Sequence, residues 1–153
     1  MDNVKTIEAL NTLITINNDR IEGYETAAKE TEEQDLKTFF SDLRQTSMHC
    51  NKDLSAEVTK LGGTAAEGTK TTGKFFRVWM DVKAALTGKN RKAILSSCEY
   101  GEDMAKKTYQ DTLANDAENL STELQTIIKS QLALLVTDHD KVKSMRDALV
   151  TVK

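Results

Sequence analysis

Apolar residues recur every three or four positions along most of the chain, which is the spacing of one face of an α-helix. The pattern predicts four long helices, covering about 3–31, 35–61, 90–114 and 121 to the C-terminus. Helix two is expected to end at Gly62 and Gly63, because glycine commonly follows the last helical turn. The Gly-, Thr- and Ala-rich residues that follow predict a loop up to residue 73, and a shorter apolar pattern at 74–86 predicts an extra helix.

The lengths of the connections predict how the helices are arranged. Helices one and two, and helices three and four, are joined by short polar segments and should be antiparallel neighbours. The link between helices two and three, from residue 62 to residue 89, is long enough to cross the bundle, so helix three can begin at the same end as helix two. This is the single-crossover topology of ferritin-like folds. We favour an all-α ferritin-like four-helix bundle, one domain over residues 1–153, over a three-helix or cytokine-like arrangement.

Two glutamates occupy positions where an amphipathic helix normally carries an apolar side chain. Glu25 falls within the apolar stripe of helix one, and Glu102 falls within that of helix three. A carboxylate in the core pairs with a cation, shifts its pKa or binds a metal. Counting about 1.5 Å per residue from the helix ends places both glutamates at one level, together with His139 and Asp138 of helix four. Cys50 of helix two faces inward, so the sequence predicts a shared polar layer.

The di-iron pattern of ferritin-like bundles takes one Glu from each of two helices and Glu-x-x-His from each of the other two. The residues three positions before the two histidines are Thr46 and Val136, so both bridging carboxylates are missing. A metal site would therefore be a reduced one, with the candidate ligands Glu25, Glu102, His139 and either Asp138 or Cys50. Oxygen ligands with one imidazole suit iron or manganese, and zinc as well.

Each of these residues also has an ordinary structural explanation. A glutamate at the edge of the core reaches water or pairs with Lys or Arg, and a single histidine is commonly a hydrogen-bonded boundary residue. Cys50 and Cys98 are typical of small buried hydrophobic residues. Their predicted separation, about two helical turns, disfavours a disulfide.

Composition and charge exclude several classes of partner. A net charge of −3 gives no electrostatic reason to expect nucleic acid or an anionic membrane. The chain has no run of eighteen apolar residues and no signal-peptide pattern, so we expect a cytoplasmic protein. Enzyme classes that depend on a glycine-rich phosphate loop, a nucleophile elbow or a Cys-x-x-Cys motif are disfavoured, because none of these motifs is present.

Two stretches resemble the signature of a bacterial ferritin-like four-helix-bundle family of unknown function. The first is Trp79-Met-Asp-Val-Lys-Ala-Ala-Leu-Thr-Gly88, and the second is Ala93-Ile-Leu-Ser-Ser-Cys-Glu-Tyr-Gly-Glu-Asp103. The Gly23-Tyr24 step and the Leu61-Gly-Gly63 helix end are similar too. The resemblance extends over most of the chain and implies the fold. It implies no activity, since the family has no settled one.

Three functions are consistent with the sequence. The first is a metal-binding or stress-related bundle with a degenerate central site and without strong turnover. The second is a di-iron or manganese oxidase, or an iron-handling protein, that uses the nonstandard ligand set. The third is a structural module that presents a helical face and the aromatic residues Phe75, Phe76 and Trp79 to partners. We expect a homodimer, because ferritin-like bundles commonly pair along a helical face.

Overall fold

A computed structural model of the protein describes residues 3–68 and 91–151. Within these ranges the chain forms four long helices and a short 3₁₀ turn and has no strand, which confirms the all-α prediction. The elements are α1 Asn3–Glu30, α2 Gln34–Lys60, α3 Arg91–Asn115, the 3₁₀ turn Ala117–Asn119 and α4 Thr122–Thr151. The predicted helix at 74–86, with its aromatic residues, lies outside the described residues. None of the helices described is long and apolar enough to cross a membrane.

Helix α2 ends at the two glycines, as the sequence predicts. Gly62 adopts a φ of 82°, a left-handed conformation that glycine enters without a steric penalty. The backbone N–H groups of Gly62 and Gly63 then donate to the carbonyls of Thr59 and Val58, which closes the last helical turn. Gly63 also lies against Ile7, because a Cβ at this position would be 2.8 Å from Ile7 Cδ1. The chain therefore leaves α2 in close contact with the start of α1.

Contacts near the helix ends define the relative directions of the helices. Arg91, in the first turn of α3, pairs with Glu33 and Asp35 at the start of α2, so α2 and α3 begin at the same end. At the other end, Thr6 of α1 donates a hydrogen bond to the backbone carbonyl of Asn119, just after α3. Helices α1 and α4 therefore run in one direction, and α2 and α3 run in the other. The connection between α2 and α3 must return the chain from one end of the bundle to the other.

The start of this connection is attached to α1 by asparagine side chains. Asn11 donates to the carbonyl of Thr64 over 3.1 Å and accepts from the N–H of Ala66 over 2.8 Å. Asn18, two turns further along α1, donates to the carbonyl of Gly68 over 3.0 Å. These bonds replace the backbone partners that a loop lacks. They direct the chain along α1 toward the end where α3 begins.

Two apolar clusters fill the interior, and buried polar residues separate them along every helix. The cluster near the start of α1 includes Leu10, Leu13, Leu54, Val58 and Ile128. The cluster near the end of α1 includes Leu36, Phe40, Leu43, Ile94 and Val142. Between the two sets lie Asn17, Arg20, Ser47, Glu102 and Asp138. We call these five residues, with Tyr24 and Tyr109 that bond to them and Gln131 that bonds to Tyr109, the central polar layer.

Candidate functional site

Arg20 lies at the centre of the polar layer, with only 1% of its side chain exposed. Its Nη2 donates to Glu102 Oε1 of α3 over 2.7 Å and to Asp138 Oδ2 of α4 over 3.1 Å, while Nη1 donates to Ser47 of α2. Burial alone would lower the pKa of Arg20, but the neighbouring carboxylate of Glu102 raises that pKa above its ordinary value. The guanidinium therefore stays charged and links α1 to the other three helices.

Glu102 is buried, as its place in the α3 stripe predicts, and its side chain has no exposed area. Its Oε1 accepts hydrogen bonds from Arg20 Nε, Arg20 Nη2 and the hydroxyl of Tyr24. Burial, together with the charge of Glu102, raises the pKa of Tyr24 well above its ordinary value, so this phenol remains a donor. Because the guanidinium bonds to both Glu102 and Asp138, it takes the place that a metal ion bridging them would need. In the layer as folded, Arg20 bonds to Glu102 Oε1 and Asp138 Oδ2, whereas Glu102 Oε2 is buried without a hydrogen-bond partner.

Neutral side chains extend the layer through all four helices. Asn17 of α1 donates to the hydroxyl of Tyr109 of α3 over 2.8 Å, and that hydroxyl donates to Gln131 Oε1 of α4 over 2.7 Å. Gln131 in turn donates to the backbone carbonyl of Cys50 of α2 over 3.1 Å. Ser47, also on α2, donates to Asn17 Oδ1 over 2.8 Å, so this network of hydrogen bonds leads back to α1. Buried polar groups joined in this way fix one relative register of the helices.

Glu25 is not part of the central polar layer, so the expectation that it faces the core is wrong. Its side chain is 43% exposed and pairs on the surface with Lys29 Nζ at 3.2 Å and Arg44 Nη2 at 3.9 Å. Tyr24, its neighbour, occupies the inward position instead. Glu25 and Glu102 therefore lie in different surroundings, one solvated and one buried.

Sequence reasoning missed Arg20 because the apolar stripe predicted for α1 left out the polar residues of its buried face. The predicted apolar stripe of helix one consists of Ile7, Leu10, Ile14, Ile21 and Ala28. Of these, Leu10 and Ile14 are buried, but the buried face also follows a series that includes polar residues. That series consists of Thr6, Leu10, Leu13, Asn17, Arg20, Tyr24 and Ala27. Its steps alternate strictly between four and three residues, which is the signal that would have identified this face. A second signal was Glu102 itself, since a buried carboxylate needs a cation.

Glu99, Asp103 and His139 form a second group of ligand-type side chains, which we call the peripheral triad. Glu99 and Asp103 lie one turn apart on α3, and His139 faces them from α4. His139 Nε2 is 2.8 Å from Asp103 Oδ1 and 3.7 Å from Glu99 Oε1. One ligand atom from each residue lies within 4.8 Å of the other two, and the residues described contain no other such group of three or more. Ligand atoms about 2 Å from one ion are roughly 3–4 Å apart, so a small adjustment brings the triad around a metal.

The triad is open to solvent on one side. The side chains of Glu99 and His139 are 14% and 10% exposed, whereas that of Asp103 is 54% exposed. An ion can therefore reach the group from water and keep part of its hydration shell.

Three further charged residues border the triad: Asp140, Arg146 and Lys106, whose Nζ lies 3.8 Å from Asp103 Oδ1. Asp140 Oδ1 lies 3.2 Å from His139 Nδ1, so each ring nitrogen of His139 faces a carboxylate, and binding of an ion by Nε2 requires that nitrogen to be without its proton. Arg146 Nη1 contacts Oε2 of Glu99. The guanidinium of Arg146 neutralises the carboxylate of Glu99.

The five candidate ligands from the sequence thus fall into different surroundings. Glu102 and Asp138 bond to Arg20, His139 belongs to the peripheral triad, Glu25 is on the surface, and Cys50 is buried beside Gln131. The sequence interpretation did not include Glu99 and Asp103 as ligands. The sequence does contain an indication of this pair. Glu99 and Asp103 are two carboxylates four residues apart on α3, and they lie at the level along the bundle that the sequence predicts for His139.

The two cysteines are free and fully buried. Burial raises the pKa of the Cys50 thiol to about 11 and raises the pKa of Cys98 above its ordinary value as well.

Since the thiolate is the reactive form, we expect neither cysteine of the folded protein to react with dithionitrobenzoate at pH 8. Both should react in denaturant, where the absorbance of the released thionitrobenzoate gives the number of reacting thiols. Rapid labelling of the native protein would contradict this assignment.

The structure defines the protein as an all-α four-helix bundle with a charged layer in its core. By sequence, the chain belongs to the family described as "Domain of unknown function (DUF2383)", whose model matches residues 5–115. The matched region contains all of α2 and α3 and nearly all of α1, and it includes Arg20 and Glu102. No curated protein matches the chain.

Proposed function

We propose that this protein is a ferritin-like bundle that binds one divalent metal ion at the peripheral triad and has no strong turnover. The observation that carries the proposal is the approach of one imidazole and two carboxylates, from two helices, to within 4.8 Å of one another. This donor set suits manganese or iron, and zinc as well. The site is open to water on one side, which suits metal binding or a role in the response to stress better than a redox reaction in the core.

The ferritin-like class is supported by the directions of the helices. Helices α2 and α3 begin at the same end, so one long connection must cross the bundle, as in that class. A polar layer also lies midway along the bundle, where ferritin-like proteins hold their metals. In this chain Arg20 supplies the positive charge there, and we infer that the central site is degenerate for this reason.

The oxidase or iron-handling alternative has less support. It needs Glu25, Glu102, His139 and either Asp138 or Cys50 around one centre, and these side chains have separate partners. The structural-module alternative relies on the aromatic residues at 75–79, which lie outside the described residues. The homodimer and the cytoplasmic location stay predictions.

Isothermal titration of tag-free protein with Mn²⁺ and with Zn²⁺ tests the proposed site. We expect one ion to bind per chain. His139→Gln should weaken binding by at least about 100-fold, since it removes the nitrogen ligand and even outer-shell changes commonly cost 10–100-fold.

Two control variants locate the ion. His49→Gln removes the other histidine, which is 66% exposed beside Asp53 on α2, and should leave the affinity unchanged. Glu102→Gln alters the central polar layer and should also leave it unchanged. Equal losses in the two histidine variants would show nonspecific binding. A loss confined to the Glu102 variant would place the ion in the core and overturn the proposal.

A further inference from the structure

Two cations lie against the peripheral triad: Lys106, whose Nζ is 3.8 Å from Asp103 Oδ1, and Arg146, which contacts Glu99. Arg146 Nη1 contacts Oε2 of Glu99, and its Nη2 lies 3.0 Å from Asp147 Oδ1. Glu99 thus presents one oxygen to the guanidinium and the other, Oε1, toward His139 at 3.7 Å. The same carboxylate is shared between a resident cation and the proposed metal position.

The exposure of Arg146 distinguishes it from the arginine in the core. Arg20 is 1% exposed and bonds to groups on three helices, so it has no other partner to move to. Arg146 is 25% exposed and already bonds to Asp147, whose side chain is 54% exposed. Releasing Glu99 therefore transfers the guanidinium of Arg146 to Asp147 and water, without leaving a buried charge unpaired.

We propose that Arg146 is a built-in competitor of the divalent ion and sets the affinity of the peripheral triad. In the metal-free protein its charge neutralises Glu99. When a divalent ion binds, the guanidinium gives up Glu99 and remains with Asp147. This inference rests on the metal site proposed above, and it identifies what regulates that site: exchange of one cation for another on a single carboxylate.

Removing the competitor should strengthen binding. We expect Arg146→Gln to bind Mn²⁺ about tenfold more tightly than the parent protein, which is the order of the repulsion between a divalent ion and one positive charge about 6 Å apart in water. Titration calorimetry at fixed ionic strength measures the change. Far-UV circular dichroism verifies that the variant keeps its helices.

The matched control is Arg44→Gln. Arg44 is 34% exposed and pairs with Glu25 at 3.9 Å, between α1 and α2, so the substitution removes the same charge from a comparable surface pair elsewhere. Its effect on Mn²⁺ affinity should stay within about twofold, because screening by salt weakens the interaction of distant exposed charges.

The outcomes separate this inference from the proposed function. If the parent protein binds through His139 and Arg146→Gln binds no more tightly than Arg44→Gln, the competitor role is overturned while the metal site stands. If only Arg146→Gln binds Mn²⁺, the competitor role is supported and metal binding by the parent protein is overturned. If neither protein binds the ion, both proposals fail.

Discussion

Replacing Arg20 by methionine should lower the free energy of unfolding by about 3–5 kcal/mol, because breaking a buried ion pair leaves uncompensated charge in the core. Glu102 and Asp138 would each lose their bond to the guanidinium, and Ser47 would lose its donor. Methionine fills most of the space of the aliphatic part of arginine. The loss of stability therefore measures mainly the removal of the charge and its hydrogen bonds, and only to a small extent the change in volume. Urea unfolding followed by circular dichroism at 25 °C measures it.

The control for this experiment is Arg44→Met. Arg44 pairs with Glu25 near the surface, where such ion pairs contribute about 0–1 kcal/mol. The difference between the two arginine variants therefore isolates the effect of burial. Equal losses of stability would show that the central polar layer is no more sensitive to charge than the surface.

The fold was predictable because its signal is local and repeated. Each helix carries an apolar stripe along most of its length, and Gly62 ends α2 in a left-handed backbone conformation that glycine adopts readily. The length of the connection between α2 and α3 permits a single crossing of the bundle. The pairing of Arg91 with Glu33 and Asp35 establishes that α2 and α3 begin at the same end.

The polar layer was only partly predictable, and α1 shows why. Ile14 and Ile16 are both buried although they point in different directions, so the apolar residues alone do not define one face. The true face includes Asn17 and Arg20, which a pattern of apolar residues excludes. Glu102 was located correctly because the stripe of α3 is narrow and its inward position has no apolar competitor.

The partner of each buried side chain depends on how the helices pack, and a single sequence does not show this. Height along the bundle put Glu102 and His139 at one level, and both side chains are indeed buried. Yet rotation about the helix axes separates them: Glu102 faces Arg20, whereas His139 faces Glu99 and Asp103. Heights follow from counting residues, but these rotations follow from packing across the whole core.

A double-mutant cycle between Arg20 and Glu102 should reveal strong coupling. Glu102→Leu alone removes the main partner of Arg20 and should cost about 3 kcal/mol, since the guanidinium is left with Asp138 and Ser47. The double variant Arg20→Met, Glu102→Leu removes both charges. It should be more stable than the sum of the single losses implies, by about 2–3 kcal/mol.

The cycle isolates this one pair, because Asp138 loses its partner in the Arg20 variant and in the double variant alike. A parallel cycle between Arg20→Met and Glu25→Leu provides the control. Glu25 bonds to Lys29 and Arg44 and not to Arg20, so the two losses should add within about 0.5 kcal/mol. Coupling of Arg20 to Glu25 as large as its coupling to Glu102 would mean that both glutamates share the core after all. Additive losses for Arg20 and Glu102 would instead show that their ion pair does not hold the polar layer together.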